Sequence, residues 1–322
     1  MPDRKISLAP EFALLGCLAL LWGSSYLFIK VAVVEIPPLT LIAARVSIAA
    51  VLLTGLCRWY GHALPSDAGT WRRLLVQAVF NSIGAWTLLA WGQQFIASGL
   101  ASVLNSTAPI FIFFITLCFT RHERTGMARL SGAMLGLCGV ALIVGLDVLD
   151  GFGRSVMGQL AVIGGALLYA GAAIYGRRFS GQPAMVTAAG TMIWASLVLV
   201  PLACLLDRPW ALRPSPMALG AILALGLFST GVALVIYFRL VRTLGSMGVA
   251  SQAYLRVVVG VLLGVFLLGE QVSVSTGLGV TAALCGVALI NLPKRAVAAE
   301  GSLDPACQPA PNRATSASKP LL

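Results

Sequence analysis

The sequence predicts an all-α polytopic membrane protein in which ten transmembrane helices form two inverted five-helix repeats, with both termini in the cytoplasm. Three observations lead to this prediction: an apolar composition, ten apolar stretches of membrane-spanning length, and an internal repeat. Hydrophobic residues make up 58% of the 322 residues and charged residues 10%, whereas about 25% of a soluble domain is charged. A chain this apolar cannot cover its surface with polar groups, so we expect lipid to be its main solvent.

The charge balance and the cysteines exclude several other classes of function. The formal net charge is +11, but basic residues of membrane proteins gather in cytoplasmic loops, so this balance does not indicate nucleic-acid binding. The seven cysteines show no C-x-x-C spacing and the chain has two histidines, so we expect no zinc site. No G-x-x-x-x-G-K-[ST] phosphate loop occurs, and the chain itself is not expected to hydrolyse ATP. We expect no cofactor.

Apolar stretches of about 20 residues, the length that crosses the hydrocarbon core, occur ten times. The first stretch follows Arg4 and Lys5 but contains no small-residue cleavage site, so it predicts a retained helix rather than a signal peptide. The break at Phe95-Ile96 is the one that contains no proline, glycine or charged residue. The predicted helices are 11–31, 38–57, 73–94, 97–119, 127–146, 156–176, 184–206, 216–238, 247–268 and 273–292.

The basic residues predict the orientation of these helices. Sixteen of the 22 basic residues fall on the side of the N-terminus and four on the opposite side, so the positive-inside rule places both termini in the cytoplasm of a bacterial-type cell, with the helices in its inner membrane. We therefore divide the chain into a cytoplasmic tail (1–10), a first repeat (11–146), a second repeat (147–292) and a second cytoplasmic tail (293–322). Proline, alanine, serine and glutamine dominate the last segment, which predicts disorder there.

An internal repeat appears when the sequence is shifted by 147 residues. Leu137–Ile143 recurs as Leu284–Ile290, and Glu123 meets Glu270. Each half contains five helices, an odd number, so the second half must be inverted relative to the first, about a pseudo-two-fold axis in the membrane plane. Many carriers are built in this way and bind their substrate near the midplane between the two halves. We therefore expect this protein to move a small molecule across the membrane by alternating access.

Four segments of the chain have a recognisable pattern. They are Leu20–Tyr26 with Lys30, Pro37–Thr40 with Arg45, Ala108–Ile110, and Leu267–Glu270. In these segments, and over 12–292 as a whole, the chain resembles EamA-type members of the drug/metabolite transporter superfamily. The resemblance implies a ten-helix exporter of metabolites or amino acids, with a central cavity lined by both repeats. The chain departs from the family pattern at Arg121-His122-Glu123, where Gly-Glu is usual, and at Arg256, where a proline is frequent.

Two arginines, Arg45 and Arg256, lie inside predicted helices, where a charge costs at least ~2.5–3.5 kcal/mol. All eleven acidic residues fall in tails, in loops or at helix ends, so neither arginine has a carboxylate at its own depth. One interpretation is that the long side chains reach the headgroups. Backbone carbonyls and aromatic faces could satisfy the guanidinium groups in part. A carboxylate or phosphate of a substrate would do so better, because it forms a bidentate pair with a guanidinium. This predicts a solute with an anionic group, most simply an amino acid or a similar carboxylate metabolite, bound by both arginines.

Other polar and aromatic residues of the helices are candidates for the cavity wall, although interhelical packing or hydrogen bonding also explains each one singly. Trp22 and Tyr169 correspond across the repeat, so we expect them to face each other from opposite halves. Glu123 and Glu270 could titrate at the cavity mouths or interact with the N-termini of the helices that they precede. The candidates are Trp22, Ser25, Tyr26, Asn81, Trp86, Asn105, Tyr169, Tyr175, Gln252 and Tyr254.

Export of a small organic metabolite by a secondary carrier is the function that these observations favour. Uptake, or facilitated exchange of a metabolite or drug without ion coupling, is the nearest alternative, because a carrier follows the gradients that it is given. An enzyme acting on lipids would need a nucleophile, an acid or metal ligands at the interface, and the short loops contain no such cluster. A structural or signalling subunit needs neither an inverted duplication nor deep arginines. We therefore predict a non-enzyme whose partners are a small-molecule substrate and the lipid bilayer.

Overall fold

A computed structural model describes residues 8–119, 127–149, 153–244, 252–271 and 274–291. Within these residues the chain forms ten helices at the ten predicted places. The predicted disordered tail and the segment that contains Glu123 lie outside the described residues. The helices are α1 (Leu8–Ala32), α2 (Pro38–Trp59), α3 (Ala68–Ala78, Val79–Ala85 and Trp86–Gly92), α4 (Ser98–Asn105 and Ala108–Phe119), α5 (Met127–Leu149), α6 (Arg154–Gly176), α7 (Ala184–Leu206), α8 (Pro216–Gly226, Leu227–Val232 and Ala233–Thr243), α9 (Gln252–Leu268) and α10 (Val274–Asn291).

The lengths and composition of these helices fit a membrane protein. In the described part of the chain, α1–α4 and α6–α8 are each long and apolar enough to cross a membrane. The other three helices contain shorter apolar stretches, which are Leu130–Leu142 in α5, Leu255–Leu268 in α9 and Gly277–Leu289 in α10.

Two helices, α3 and α8, extend about five residues beyond the predicted boundaries, more than any other helix does. α3 begins at Ala68 rather than at 73, because Asp67 caps it by accepting a 2.6 Å hydrogen bond from the backbone N–H of Thr70. α8 continues past 238 to Thr243. Both extensions are amphipathic ends that carry arginines, and a prediction based on apolar stretches alone does not detect such ends.

α3 and α8 each contain a π-helical segment at equivalent positions of the repeat. The segments are Val79–Ala85 and Leu227–Val232, and the 147-residue shift superimposes one on the other. π-helical turns are rare and occur frequently at functional sites, because the extra residue re-aims the side chains of that turn. The internal repeat is therefore present in local backbone geometry as well as in sequence.

α4 is interrupted near its middle, where Pro109 disrupts the helix. Proline has no N–H to donate, and its ring clashes with the carbonyl four residues earlier, so the helix stops at Asn105 and a second segment begins at Ala108. The hydroxyls of Ser106 and Thr107 donate hydrogen bonds to backbone carbonyls of the preceding turn. The same two carbonyls also accept the backbone N–H groups of Ser106 and Thr107, so the hydroxyls add a second bond to each at the break.

Packing between the helices follows the same symmetry. α1 packs against α8 and α9, and its counterpart in the second repeat, α6, packs against α3 and α4. In the same way, α2 packs against α8, and its counterpart α7 packs against α3. Three further pairs join a helix to its own counterpart: α2 with α7, α4 with α9, and α5 with α10. A pseudo-two-fold relation between the halves produces this pattern, and five helices per half make the relation an inversion. The largest buried cluster lies where α2 meets α7, around Leu41, Val46, Leu53, Met192 and Leu199.

The α5/α10 pair shows how closely the symmetry is kept. A Cβ built on Gly139 would lie 2.7 Å from the carbonyl oxygen of Gly279, and one on Gly286 would lie 2.5 Å from that of Gly132. The 147-residue shift converts the first contact into the second. Small residues let the two backbones meet, which is a common way for helices to associate in membranes.

Candidate substrate cavity

A cavity of about 550 Å³ lies between the two repeats. Residues of α1–α4 and of α6–α9 line it, whereas α5 and α10 contribute none of its described wall. Nine of the residues predicted from the sequence lie on this wall: Trp22, Ser25, Tyr26, Arg45, Asn81, Trp86, Asn105, Tyr169 and Arg256.

Arg45 is held at the cavity wall by residues from several helices. Its Nε donates a 2.9 Å hydrogen bond to the hydroxyl of Thr230 in α8. Its guanidinium carbon lies 3.8 Å from the ring centroid of Trp86 in α3, a cation–π contact. The indole N–H of Trp86 in turn donates to the hydroxyl of Tyr169 in α6. The side chain of Arg45 is only 5% exposed, so it does not extend to the headgroups.

The π-helical segments supply part of this arrangement. Asn81 in the first segment and Ser229 and Thr230 in the second all line the cavity. The hydroxyl of Thr230 donates to the carbonyl of Leu225, five residues earlier. Its proton is therefore used within the helix, and its lone pair is left for Arg45.

The break in α4 exposes a second polar group to the cavity. Asn105, the last residue before the break, donates a 2.8 Å hydrogen bond from its amide to the hydroxyl of Tyr26. Its side-chain oxygen has no hydrogen-bond partner among the described residues. The side-chain oxygen of Gln77, which also lines the cavity, likewise lacks a partner in the described part of the chain. Both acceptors border the cavity but are themselves buried, so a solute reaches them only when these side chains turn.

Arg256 lines the cavity without a partner for its Nε among the described residues. No acidic side chain belongs to the described wall. Instead, the described carboxylates are engaged near helix ends. These contacts are Glu11 with Arg239 and Thr243, Glu35 with Ser215, Asp67 with Thr70, Asp207 with Thr40, and Glu270 with Ser98 and Gly99.

The contact made by Glu270 differs from the expectation stated above. Glu270 precedes α10, but its carboxylate accepts hydrogen bonds from the backbone of Ser98 and Gly99 at the N-terminus of α4. Glu270 therefore interacts with a helix N-terminus, as expected, but the helix is α4 and not α10. α4 is the better partner because Gly264 of α9 has no side chain to separate the carboxylate from it.

The cavity extends towards one side of the membrane. Its wall includes Phe179, Ser180 and Gln182 of the loop between α6 and α7, on the predicted cytoplasmic side, and Ser180 is exposed. On the opposite side, Lys30 donates from Nζ to the carbonyls of Gln93 and Ile96 at 2.8 and 2.7 Å. The contacts of Glu35, Asp207 and Glu270 lie on that opposite side as well. In the part of the chain that the structure describes, the cavity is therefore open towards the predicted cytoplasmic side and held closed on the other.

Three predicted residues lie elsewhere or cannot be placed. Gln252 is buried but is not part of the described cavity wall. The side chain of Tyr254 lies outside the described residues. Tyr175 contacts the ring of Phe179 and the guanidinium of Arg178 instead of lining the cavity.

Trp22 and Tyr169 both line the cavity, but each has a partner other than its repeat counterpart. The ring of Trp22 lies 5.4 Å from that of Tyr237 in α8, and Tyr169 accepts the hydrogen bond from Trp86. The polar wall residues that sequence analysis did not identify include Gln77, Thr187, Thr191, Ser229 and Thr230. Ser229 and Thr230 could have been found from the sequence. Gly84 matches Gly231 under the 147-residue shift, and these two glycines mark the π-helical segments.

Comparison with known proteins assigns the chain to a family. Residues 11–145 and 156–292 each match the EamA-like transporter family. The chain belongs to this family. It is a multi-pass inner-membrane transporter of the EamA type, as its apolar helices and its relatives both indicate.

Relatives of this EamA-type chain are named as transporters. It is 29% identical over 309 residues to the "Uncharacterized inner membrane transporter YedA" of Escherichia coli K12, covering 95% of this chain and 99% of that protein. It is 26% identical over 270 residues to the "Uncharacterized transporter YoaV" of Bacillus subtilis 168, covering 83% and 92%. A solved crystal structure matches with a TM-score of 0.62 at 20% identity, covering 90% of this chain and all of the other, which shows the shared fold.

Proposed function

We propose that this protein is a secondary transporter that exports a small carboxylate-bearing metabolite, such as an amino acid or a related carboxylate, by alternating access. One observation carries the proposal: two arginines, Arg45 and Arg256, line a cavity between inverted repeats whose described wall contains no carboxylate. A guanidinium at membrane depth needs a partner. A solute carboxylate supplies one, since it accepts two parallel N–H···O bonds from a guanidinium.

The two arginines have different roles in binding. Arg45 is fixed by Thr230 and by the face of Trp86, so its remaining N–H groups present a defined surface to the solute. Arg256 has a buried Nε without a hydrogen bond in the described residues, and the solute carboxylate supplies its partner. Asn105 and Gln77 offer unpaired oxygens to hydroxyl or amine groups of the solute.

Alternating access follows from the pseudo-symmetry of the fold. Contacts between the repeats close the predicted periplasmic side, where Asp207 of the second repeat binds Thr40 of the first and Glu35 of the first binds Ser215 of the second. Release to that side requires these contacts to break while the cytoplasmic mouth closes. A cavity open towards the cytoplasm is the state that loads solute from the cell during export. The gradient across the membrane sets the net direction, so uptake of the same solute through the same cavity is the alternative.

The proposal is tested by uptake of labelled L-phenylalanine, L-glutamate, succinate and pyruvate into proteoliposomes preloaded with the same solute in unlabelled form. We expect at least one of them to be transported by the wild type and not by Arg256→Ala. Arg154→Ala serves as the matched control, because Arg154 is an exposed arginine at the start of α6, away from the cavity wall. Size-exclusion profiles and thermal stability verify that each variant is folded. Full activity of Arg256→Ala would place the binding site elsewhere.

A further inference from the structure

The cavity holds positive charge that no described side chain neutralises. Arg45 donates to a neutral hydroxyl and stacks on a neutral ring, and Arg256 has no hydrogen-bond partner for Nε in the described part of the chain. The described wall contains no carboxylate. The segment 245–251 that precedes α9 contains no acidic residue either.

This charge affects the step in which a carrier changes sides. In the open cavity, water reaches the partly exposed Arg256, whereas Arg45 is already buried against Thr230 and Trp86. Between its two open forms an alternating-access carrier passes through a closed form, in which most of this water is excluded. Excluding water from an unpaired ion is costly, and a bound counter-ion with good hydrogen-bond geometry offsets that cost. The empty cavity therefore opposes closure, and a cavity that contains an anion does not.

We infer that this carrier changes sides only with an anion bound to Arg45 and Arg256, so that it exchanges one small organic anion for another across the membrane. The inference rests on the proposed function and deepens it. A solute leaving the cell must be replaced by another anion on the return pass. Movement of a single solute without a replacement is slow, because the empty carrier returns slowly.

The same charge balance ranks the solutes. A dianion, such as a dicarboxylate, brings one carboxylate for each guanidinium. A keto acid brings one negative charge. A zwitterionic amino acid brings an ammonium group that is repelled by both arginines and finds no carboxylate on the described wall. Among carboxylate metabolites, we expect exchange to be fastest for dicarboxylates and slowest for zwitterions.

The experiment compares two modes of efflux from proteoliposomes that contain the full chain. Vesicles are loaded with labelled succinate, pyruvate or L-phenylalanine and diluted into buffer that lacks the solute or contains it unlabelled. Potassium on both sides with valinomycin holds the membrane potential near zero, so that charge movement does not limit efflux. We expect external solute to accelerate efflux of succinate by at least about tenfold, as the cost of closing around unpaired charges requires.

Variants distinguish the role of the arginine charge from a general effect on rate. Arg256→Gln removes one cavity charge but keeps a polar side chain that hydrogen-bonds the solute, so we expect slower efflux than in the wild type and a ratio between the two modes that falls towards unity. Arg154→Gln removes a charge outside the cavity, and we expect it to keep the wild-type ratio.

Equal rates in both modes for the wild type would overturn the exchange inference while leaving transport itself established. Faster exchange of L-phenylalanine than of succinate would overturn the inferred charge preference. Efflux of none of the three solutes would contradict the proposed function, and with it the exchange inference.

Discussion

Oε1 of Glu270 accepts a 2.6 Å hydrogen bond from the backbone N–H of Ser98, which lies 172 residues earlier in the chain. Its second oxygen accepts a 3.0 Å bond from the backbone N–H of Gly99. α9 ends at Leu268, and the positive φ of 64° at the next residue, Gly269, turns the chain back over the helix end. Glu270 thus connects the second repeat to the first at the N-terminus of α4, on the side opposite the cavity mouth.

Glu270→Gln tests this connection. The amide keeps one acceptor but loses the charge that interacts with the helix N-terminus, so we expect a loss of about 1 kcal/mol in stability. A thermal unfolding assay in detergent measures it as a lower apparent melting temperature. Glu300→Gln, which removes a glutamate from the C-terminal segment outside the described residues, is the control. An unchanged melting temperature for Glu270→Gln would show that this contact does not contribute.

Thr230→Val tests the hydrogen bond that orients Arg45. Valine has the shape of threonine but cannot accept from Nε, and a hydrogen bond to a charged group contributes about 1.5 kcal/mol or more. We therefore expect the KM for the transported solute to rise about tenfold, since 1.4 kcal/mol corresponds to a factor of ten. Thr230→Ser keeps the hydroxyl, and it should transport nearly as well as the wild type. Equal KM values for the valine and serine variants would argue against an orienting role.

Gly286→Ala tests the close packing of α5 against α10. The added methyl group would overlap the backbone of Gly132 and Gly136, and backbone cannot move aside cheaply, so we expect a loss of about 1–3 kcal/mol. Gly277→Ala in the same helix is the matched control, because nothing lies within 4 Å of its added Cβ. In detergent, the melting temperature of Gly286→Ala should be lower than that of Gly277→Ala. Equal stabilities would mean that the two helices separate without cost.

The contact between Glu35 and Ser215 predicts a pH dependence of stability. The backbone N–H and then the hydroxyl of Ser215 donate to the carboxylate and lower the pKa of Glu35 below its usual value. A group whose pKa is lower in the folded state stabilises the fold at pH values above its unfolded-state pKa, which is about 4.3 for a glutamate. That contribution is lost as the pH falls through the folded-state pKa. The difference in melting temperature between wild type and Glu35→Gln should therefore be present at neutral pH and shrink in acid below that range. A difference that is constant with pH would exclude this linkage.

The composition of the cavity wall predicts weak dependence on a pH gradient. No histidine or carboxylate belongs to the wall that the structure describes, so no such group on it is available to carry a proton with the solute. We expect an imposed gradient of about one pH unit to change the initial rate of succinate exchange by less than about twofold. Fluxes in proteoliposomes with the gradient in either direction measure this. Strong acceleration by the gradient would point to carboxylates at the cavity mouths.

Local patterns in the sequence were sufficient for the helices, their number and the internal repeat. Apolar length identifies a membrane helix because the hydrocarbon core has a fixed thickness. The duplication is visible in Leu137–Ile143 and Leu284–Ile290 because the repeats kept the small residues at which α5 and α10 touch. The placement of Arg45 and Arg256 in the cavity could also be predicted, since the cost of a charge in lipid leaves few other positions for them.

The class of fold, the inverted symmetry and the depth of the two arginines can therefore be predicted from residue patterns alone. The packed helices are needed to show that Thr230 is the partner of Arg45, that Glu270 caps α4 rather than α10, and on which side the cavity opens. No sequence pattern predicts these contacts, because they join residues 185 and 172 positions apart. Such partners are selected by how the two repeats pack together, and no local periodicity or composition records that packing.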